Sequence, residues 1–143
     1  MFELHPQLSQ DCHILGDFPL SRVLLSKDAN YPWLILVPKK PAIGDIYQLD
    51  QADQQQLLAE SSWVSEVMMG YFQADKMNVA ALGNMVPQLH LHHVARFKND
   101  EAWPKPIWGL LPAKPYEKKA LEILLANLKE ALKNSKISFT PYL

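Results

Sequence analysis

Apolar and polar positions change their spacing several times along this chain, and these changes predict its secondary structure. Runs typical of β-strands lie at residues 13–17, 20–25, 34–37, 77–82 and 86–97. Phe18 and Pro19 separate the first pair of runs as a hairpin connection. The run at 34–37 is continuously apolar, which fits a central strand covered on both faces.

Helical spacing, with apolar residues three or four positions apart, occurs in two longer stretches. The first helix is predicted from Gln51 to Phe72 behind Asp50, whose side chain suits a helix N-cap. Its apolar stripe comprises Leu57, Val64, Val67, Met68, Tyr71 and Phe72. The second helix is predicted from near Tyr116, with a buried face of Leu121, Leu124, Leu125, Leu128 and Leu132. A short helix is also predicted at 7–12.

The order of these elements (strands, helix, strands, helix) predicts an α+β fold in a single domain. We expect an antiparallel β-sheet with the two main helices to one side. Residues 1–110 form its main body, and residues 111–143 form a C-terminal helix and tail that pack on that body or on a dimer partner. The tail at 137–143 is apolar for a chain end, which favours packing on a sheet edge or on a second subunit.

Composition and charge exclude several classes of function. The 143 residues have a formal net charge of −1 and no basic tract, so a nucleic acid is not an expected partner. Cys12 is the only cysteine, so an internal disulfide is not possible. The N-terminus lacks a signal-peptide pattern, and no run approaches the roughly 20 apolar residues of a membrane span. We therefore expect a cytoplasmic protein with no membrane partner, and such a chain suits a bacterium.

The segment Gln88-Leu89-His90-Leu91-His92-His93-Val94 carries the most chemistry, since it holds three of the five histidines. Alternate side chains of a strand share a face. Gln88, His90 and His92 are therefore expected on one face of the sheet, and His93 on the other as a core or interface residue. Imidazole is the side chain that attacks, relays protons or binds metal near neutral pH.

A neutral imidazole is a competent nucleophile toward phosphorus, and His90 is the candidate nucleophile here. Its attack on an α-phosphate gives a covalent phosphohistidine-type intermediate, which water then hydrolyses. His92 is placed to donate to a phosphate oxygen, and Gln88 to orient the leaving group or the imidazole. Asn84 and Arg96 are candidate substrate ligands at the phosphate, although Arg96 fits a solvated strand end equally well.

Other interpretations of the same residues stay open. His90 and His92 are also compatible with sheet histidines that are hydrogen-bonded and carry no chemistry. Zinc held by both of them with Cys12 or His13 is a rival. Alternating strand histidines supply only a pair of ligands, however, and no Cys-x-x-Cys motif completes the set. We therefore predict no metal site and no required cofactor.

The run from Gly83 to Arg96 resembles the histidine triad (HIT) family. That family's motif is His-φ-His-φ-His-φ-φ, with φ apolar, preceded by Gly-Gln-x-Val-x and followed closely by Pro-Arg. The matching positions are Gly83, Val86, His90, His92 and Arg96. Asn84 stands in for the glutamine, Ala95 replaces the proline, and Gln88 occupies the first histidine position. The likeness covers residues from about 8 to 97.

The resemblance implies a HIT-like α+β fold, usually a homodimer, in which residues 1–110 form a nucleotide-binding domain. Family members act as nucleotide hydrolases or transferases on the α-phosphate of dinucleoside polyphosphates and nucleoside phosphoramidates. The central histidine, which is the family's nucleophile, maps to His90, and the third maps to His92. Gln88 keeps hydrogen-bonding capacity but loses proton transfer, so a nucleotide-binding module without catalysis is the alternative to an enzyme.

The four tryptophans invite an interpretation as base-stacking residues. Trp33 is assigned to core packing, and Trp63 to covering an edge. Trp103 and Trp108 follow the histidine segment, and for both of them a place in a nucleotide pocket and a structural role stay open.

Overall fold

The strands and helices follow the predicted spacing closely. The computed structural model describes residues 1–134 and 137–143. The strands are β1 (Cys12–Asp17), β2 (Ser21–Ser26), β3 (Trp33–Pro38), β4 (Lys76–Ala80), β5 (Leu91–Arg96) and β6 (Thr140–Pro141). The helices are α1 (Pro6–Asp11), α2 (Gln51–Phe72) and α3 (Lys118–Lys133), with a short 3-10 turn at Ile46–Gln48. Residues 135–136, inside the predicted C-terminal segment 111–143, lie outside the described residues.

The six strands form one antiparallel sheet in the order β4-β5-β3-β2-β1-β6. The continuously apolar strand β3 lies between β5 and β2, as its pattern predicted. The tail strand β6 pairs with β1, with Gly16 opposite Pro141. A side chain at Gly16 would collide with Thr140 and Phe139, so glycine permits this close approach. The predicted α+β fold is confirmed, and the tail covers a sheet edge.

Helix α2 begins after Asp50, whose side chain accepts a hydrogen bond from the Asp53 amide at 2.8 Å. Its buried face comprises Leu57, Glu60, Ser61, Val64, Val67 and Met68. The prediction that Tyr71 belongs to this face is wrong, since Tyr71 is 40% exposed. Neighbouring helical positions point about 100° apart, so only one of them faces the sheet, and Phe72 takes that place.

The two main helices cover one face of the sheet. Leu128 and Leu132 of α3 are fully buried in the same cluster as the inward side of α2. Trp63 of α2 donates its indole N–H to the Leu132 carbonyl at 3.2 Å, which joins the two helices. The short helix α1 instead packs on the opposite face, where Leu8 is buried in the same cluster as Ile35. No helix in the described ranges combines the length and the apolar character needed to cross a membrane.

The histidine strand is shorter than the predicted range 86–97, because β5 begins only at Leu91. Pro87 has no amide hydrogen to give to a neighbouring strand. The next amide but one, that of Leu89, donates to the Ile43 carbonyl at 2.9 Å rather than into the sheet. Gln88 and His90 therefore lie on the loop that leads into β5, and only His92 and His93 lie on the strand itself.

Candidate functional site

A cleft of about 810 Å³ opens on the face of the sheet that carries α1. Strands β3 and β5 line it with Trp33, Ile35 and His92, and the loop before β5 adds His90. The other walls come from residues near 8–12, 26–31, 82–86 and 107–115. The cleft therefore gathers four separate stretches of chain around the pair of histidines.

His90 is fixed by its own backbone. Its Nδ1 lies 2.7 Å from the carbonyl oxygen of Gln88. A carbonyl only accepts hydrogen bonds, so Nδ1 of His90 carries a proton, and the neutral tautomer compatible with this contact is the one with its lone pair on Nε2. The residue is 7% exposed and lines the cleft. In the neutral form of the ring, this arrangement leaves Nε2 with a lone pair on the cleft side of the sheet.

His92 lies beside His90, with ring centroids 4.9 Å apart. The indole Nε1 of Trp33 donates to Nδ1 of His92 at 3.0 Å. Trp108 packs against the same imidazole, with centroids 5.3 Å apart. Burial, followed by the neighbouring His90 and His93, lowers the pKa of His92 to about 3. His92 is therefore neutral near pH 7 and enclosed by aromatic rings.

His93 points away from the cleft, as its place in the alternation predicted. It is fully buried, and its Nε2 lies 2.7 Å from the Ser61 hydroxyl of α2. Burial lowers the pKa of His93 to about 4, and the polar backbone groups of Leu91 and Leu34 partly oppose this shift by raising it. His93 is therefore a core residue, and its hydrogen-bond partner Ser61 is a side chain of the covering helix α2.

Three of the site residues predicted from the sequence, His90, His92 and Asn84, line the cleft, whereas Gln88 does not. The side-chain oxygen of Gln88 accepts from the His5 amide at 2.9 Å, and its nitrogen donates to the Glu3 carbonyl at 2.9 Å. Its amide is thus engaged with the N-terminal segment. The contact of Gln88 with the site is made by its backbone carbonyl, which accepts a hydrogen bond from His90 and orients that ring.

Arg96 is also placed away from the cleft, and it is only 1% exposed. Its guanidinium donates to Asp100 at 2.9 Å, to Asn78 at 2.7 Å and to the Lys105 carbonyl at 2.9 Å. Burial would raise the pKa of Asp100, but hydrogen bonds, that from Arg96 first, lower it to about 2. Neither a phosphate ligand nor a solvated strand end describes this buried arginine, which anchors the loop after β5.

The tryptophans divide between site and structure. Trp108 lines the cleft, whereas Trp103 packs under Arg96, with the guanidinium 5.5 Å from its ring centroid. Trp33, which the sequence assigned to the core, is half-buried, lines the cleft and holds His92. The strand register carries the missing signal: Ile35 lies opposite His92, and Trp33 is two positions along on the same face.

Polar residues of the outer wall were also missed by sequence reasoning. Lys27, Asp28 and Lys114 line the cleft. The Asp28 carboxylate accepts from the Asn30 amide at 2.9 Å and from the Lys114 amide at 3.2 Å. Asp28 therefore fastens the 107–115 wall to the β2–β3 loop. No periodicity marks these positions, so only the folded chain brings them together.

The zinc interpretation required Cys12 or His13 near the paired histidines. Cys12 lines the cleft, but burial, with Asp11 adding to it, raises the pKa of its thiol to about 12. His13 is not among the residues that line the cleft. Across residues 1–134 and 137–143, no group of three or more His, Cys, Asp or Glu side chains is arranged to hold a metal ion.

Comparisons with known proteins identify the family of this chain. Residues 7–99 match the sequence model of the HIT domain. A histidine triad protein from Marinobacter aquaeolei VT8 is 52% identical, with a TM-score of 0.91 over 93% of this chain and 97% of that one. A histidine triad protein from Bradyrhizobium japonicum is 44% identical, with a TM-score of 0.90 over 92% and 98%. Searching curated proteins gave no match.

A histidine triad protein from Sinorhizobium meliloti 1021 is 35% identical, with a TM-score of 0.89 over 92% of this chain and 97% of that one. The family match at 7–99 contains His90 and His92, while the Trp108 wall lies beyond it. The sequence similarity and the structural similarity to this family thus both extend over most of the chain. The chain belongs to the histidine triad (HIT) family, and its fold is that family's nucleotide-binding fold.

Proposed function

We propose that this protein is a hydrolase or transferase acting on the α-phosphate of dinucleoside polyphosphates or nucleoside phosphoramidates. The reaction passes through a covalent nucleotidyl-His90 intermediate. The observation that carries the proposal is the 2.7 Å hydrogen bond from His90 Nδ1 to the Gln88 carbonyl, which leaves Nε2 with its lone pair. Family membership supports the nucleotide as the ligand.

The reaction has two displacements at phosphorus. The Nε2 lone pair of His90 forms a bond to the α-phosphorus, and the bond to the leaving group breaks, with its electron pair departing on oxygen or, in a phosphoramidate, on nitrogen. His92 donates to the phosphate oxygens as their charge develops. Water then bonds to the phosphorus and gives up a proton to solvent, while the P–N bond breaks and its pair returns to Nε2. A transferase uses another hydroxyl or phosphate in place of water.

Gln88 limits which leaving groups can depart, because it cannot protonate them. An amide can donate a hydrogen bond but cannot transfer a proton as an acid does, and this one is engaged with the backbone of Glu3 and His5. The leaving group must then depart as a stable anion or take its proton from water. This favours the phosphate leaving groups of dinucleoside polyphosphates over the amines of phosphoramidates.

The cleft also offers groups to bind the nucleotide. Trp108 presents an aromatic ring beside His92, and Lys27 and Lys114 supply positive charge for phosphates. Asn84 adds an amide from the loop after β4. These residues surround the histidine pair from separate walls, which suits a ligand with a base, a sugar and several phosphates.

We further propose that the protein is a homodimer joined at strand β4. This strand forms one edge of the sheet, and an open sheet edge is a template for pairing with another chain. Val79 on β4 is 46% exposed, and Met85 beside the cleft is 94% exposed. Light scattering of the wild type and Val79→Lys tests the dimer, since a charge at a paired edge should shift the variant toward monomer.

The activity is tested by incubating the protein with diadenosine polyphosphates or adenosine phosphoramidate in EDTA and following AMP release. Wild type and His13→Ala, which removes a histidine outside the cleft, should release AMP, with the polyphosphates cleaved faster. His90→Ala should show no release while its circular dichroism is unchanged. Wild-type rates in His90→Ala would contradict the mechanism.

The second candidate is a nucleotide-binding module without catalysis. The engagement of Gln88 with the N-terminal segment favours it, because the family's first histidine has no counterpart in the cleft. It predicts that AMP binds to the wild type by calorimetry although no substrate is turned over. AMP release by the wild type but not by His90→Ala excludes this candidate.

A further inference from the structure

His92 is contacted at Nδ1 by a group that can only donate. The indole Nε1 of Trp33 lies 3.0 Å from this atom. An indole N–H has no lone pair with which to accept, so Nδ1 of His92 must present its own lone pair. The ring proton of neutral His92 is then on Nε2, the opposite arrangement to that in His90, where a carbonyl acceptor holds the proton on Nδ1.

We propose that Trp33 is a positioning residue that locks His92 in the Nε2–H tautomer, as a fixed hydrogen-bond donor to the phosphate oxygens of the substrate. The role in catalysis rests on the proposed function, but the tautomer is a property of the free protein. The two adjacent imidazoles are thus held in opposite tautomers by their hydrogen-bond partners. The acceptor at His90 frees a nucleophilic lone pair, and the donor at His92 directs an N–H outward.

The strand register explains why Trp33 reaches this atom. Trp33 pairs with Val94, and Ile35 pairs with His92, so Trp33 is the diagonal neighbour of His92 on the cleft face. Trp108 packs edge-on against the Trp33 ring, with centroids 6.2 Å apart. Trp33 is therefore held between a strand and a neighbouring ring, which leaves its N–H little freedom to turn away.

The hydrogen bond from Trp33 to His92, which we call the lock, also opposes protonation of His92. A second proton would have to sit on Nδ1, where it would point at the indole N–H and break the hydrogen bond. Burial disfavours the positive charge of His92 most, and the neighbouring His90 and His93 disfavour it further. Asp11, Cys12, Lys27, Asp28, Tyr31 and Lys114 are the other ionisable residues that line the cleft. His92 therefore acts as a neutral donor, with a pKa of about 3, rather than as a general acid.

Trp33→Phe is the direct test, because it removes the donor and keeps an aromatic ring, although a smaller one, at this position. Trp63→Phe is the matched control, since it removes an indole hydrogen bond to Leu132 outside the cleft. Nitrogen-15 NMR of the histidine rings reads the tautomer of each imidazole without any substrate. The wild type should show a pyrrole-type Nε2 and a pyridine-type Nδ1 in His92, with a scalar coupling between that Nδ1 and the Trp33 Nε1.

In Trp33→Phe, His92 should populate both tautomers, and its pKa should rise by roughly half a unit to one unit, the effect of one lost hydrogen bond. The kcat should fall about tenfold, as for a weakened donor to the developing charge, with KM within about twofold. Trp63→Phe should match the wild type in His92 tautomer, kcat and KM. The acid limb of the kcat profile should move only in Trp33→Phe.

A pyrrole-type Nδ1 in wild-type His92, or no coupling to the indole nitrogen, would overturn the proposal even if Trp33→Phe did not fold. So would an unchanged tautomer and pKa in a folded Trp33→Phe. These readouts need no turnover, so they separate this inference from the proposed function. A wild type without activity but with the coupled Nε2–H tautomer supports the lock and rejects the enzyme.

Discussion

The side-chain oxygen of Gln88 accepts a hydrogen bond from the backbone amide of His5 at 2.9 Å. The same side chain donates to the Glu3 carbonyl. This pair of hydrogen bonds, the Gln88 clasp, holds the N-terminal segment against the loop that carries His90. The position of the family's first histidine thus has a structural task here. That task is coupled to the site, because the Gln88 carbonyl also orients His90.

Gln88→Ala should lower the free energy of unfolding by about 1–3 kcal/mol, since two backbone groups lose their partner. Urea denaturation measures this loss, and hydrogen exchange of the His5 amide should accelerate. Gln55→Ala, an exposed position of α2, is the control and should stay within about 0.5 kcal/mol of the wild type. Unchanged exchange at His5 in Gln88→Ala would show that the clasp does not form in solution.

Trp108→Ala and Trp103→Ala form a pair that separates a cleft residue from a structural one. Trp108 lines the cleft beside His92, so its loss should weaken AMP binding about fivefold to a hundredfold, the usual range for a lost stacking partner. Trp103 packs against Arg96 instead, so its loss should lower stability and leave AMP affinity nearly unchanged. Calorimetric titration with AMP measures both affinities, and equal losses in the two variants would refute this division.

Arg96→Lys tests whether the buried arginine is an anchor or a phosphate ligand. Lysine cannot reproduce the bonds to Asp100, Asn78 and the Lys105 carbonyl, so stability should fall by about 3–5 kcal/mol. Assayed below its melting temperature, the variant should retain the wild-type KM. A stable variant with a strongly raised KM would instead show that Arg96 binds the substrate.

The two buried histidines predict a loss of stability in acid. The pKa of His93 is lowered from 6.5 to about 4, and that of His92 to about 3. As pH falls from 6.5 toward 4, the unfolded chain binds these protons and the folded chain does not, so the free energy of unfolding falls. Each histidine contributes a slope of up to about 1.4 kcal/mol per pH unit. Asp100 adds its own loss only at lower pH, below its ordinary value of 3.8.

His93→Gln removes one of these titrating groups and keeps a polar atom opposite Ser61. Urea denaturation at several pH values between 6.5 and 4 should show a slope reduced by up to one histidine's share, whatever the overall stability of the variant. The slope is the informative quantity, because a change of shape in the core also lowers stability at every pH. An undiminished slope would mean that His93 is not buried in its neutral form.

Local spacing was sufficient to predict the elements of this fold. The helical stripe after Asp50 gave α2 its observed bounds, and the uninterrupted apolar run at 34–37 placed β3 inside the sheet. The alternation of the histidine segment also put His93 on the face opposite the cleft. These features depend on neighbours within a few positions, so the sequence states them directly.

The parts that the sequence did not reveal depend on distant partners. The Gln88 side chain meets an amide 83 positions away, and Trp33 meets His92 59 positions away. Without the register of β3 against β5, no local pattern brings these groups together. Arg96 was misjudged for another reason. Its partner Asp100 lies only four positions on, but the sequence does not show that this ion pair is buried rather than at a solvated strand end.

The central claim, a covalent nucleotide on His90, is tested most directly by trapping that intermediate. Wild type and His90→Ala are mixed with a diadenosine polyphosphate in EDTA, quenched within one turnover at neutral pH, digested and mapped by mass spectrometry. Our account predicts an adenylate on the peptide carrying His90 in the wild type, assigned to that residue by fragmentation, and none in His90→Ala. Turnover by the wild type with no adduct, or with the adduct on His92, would contradict it.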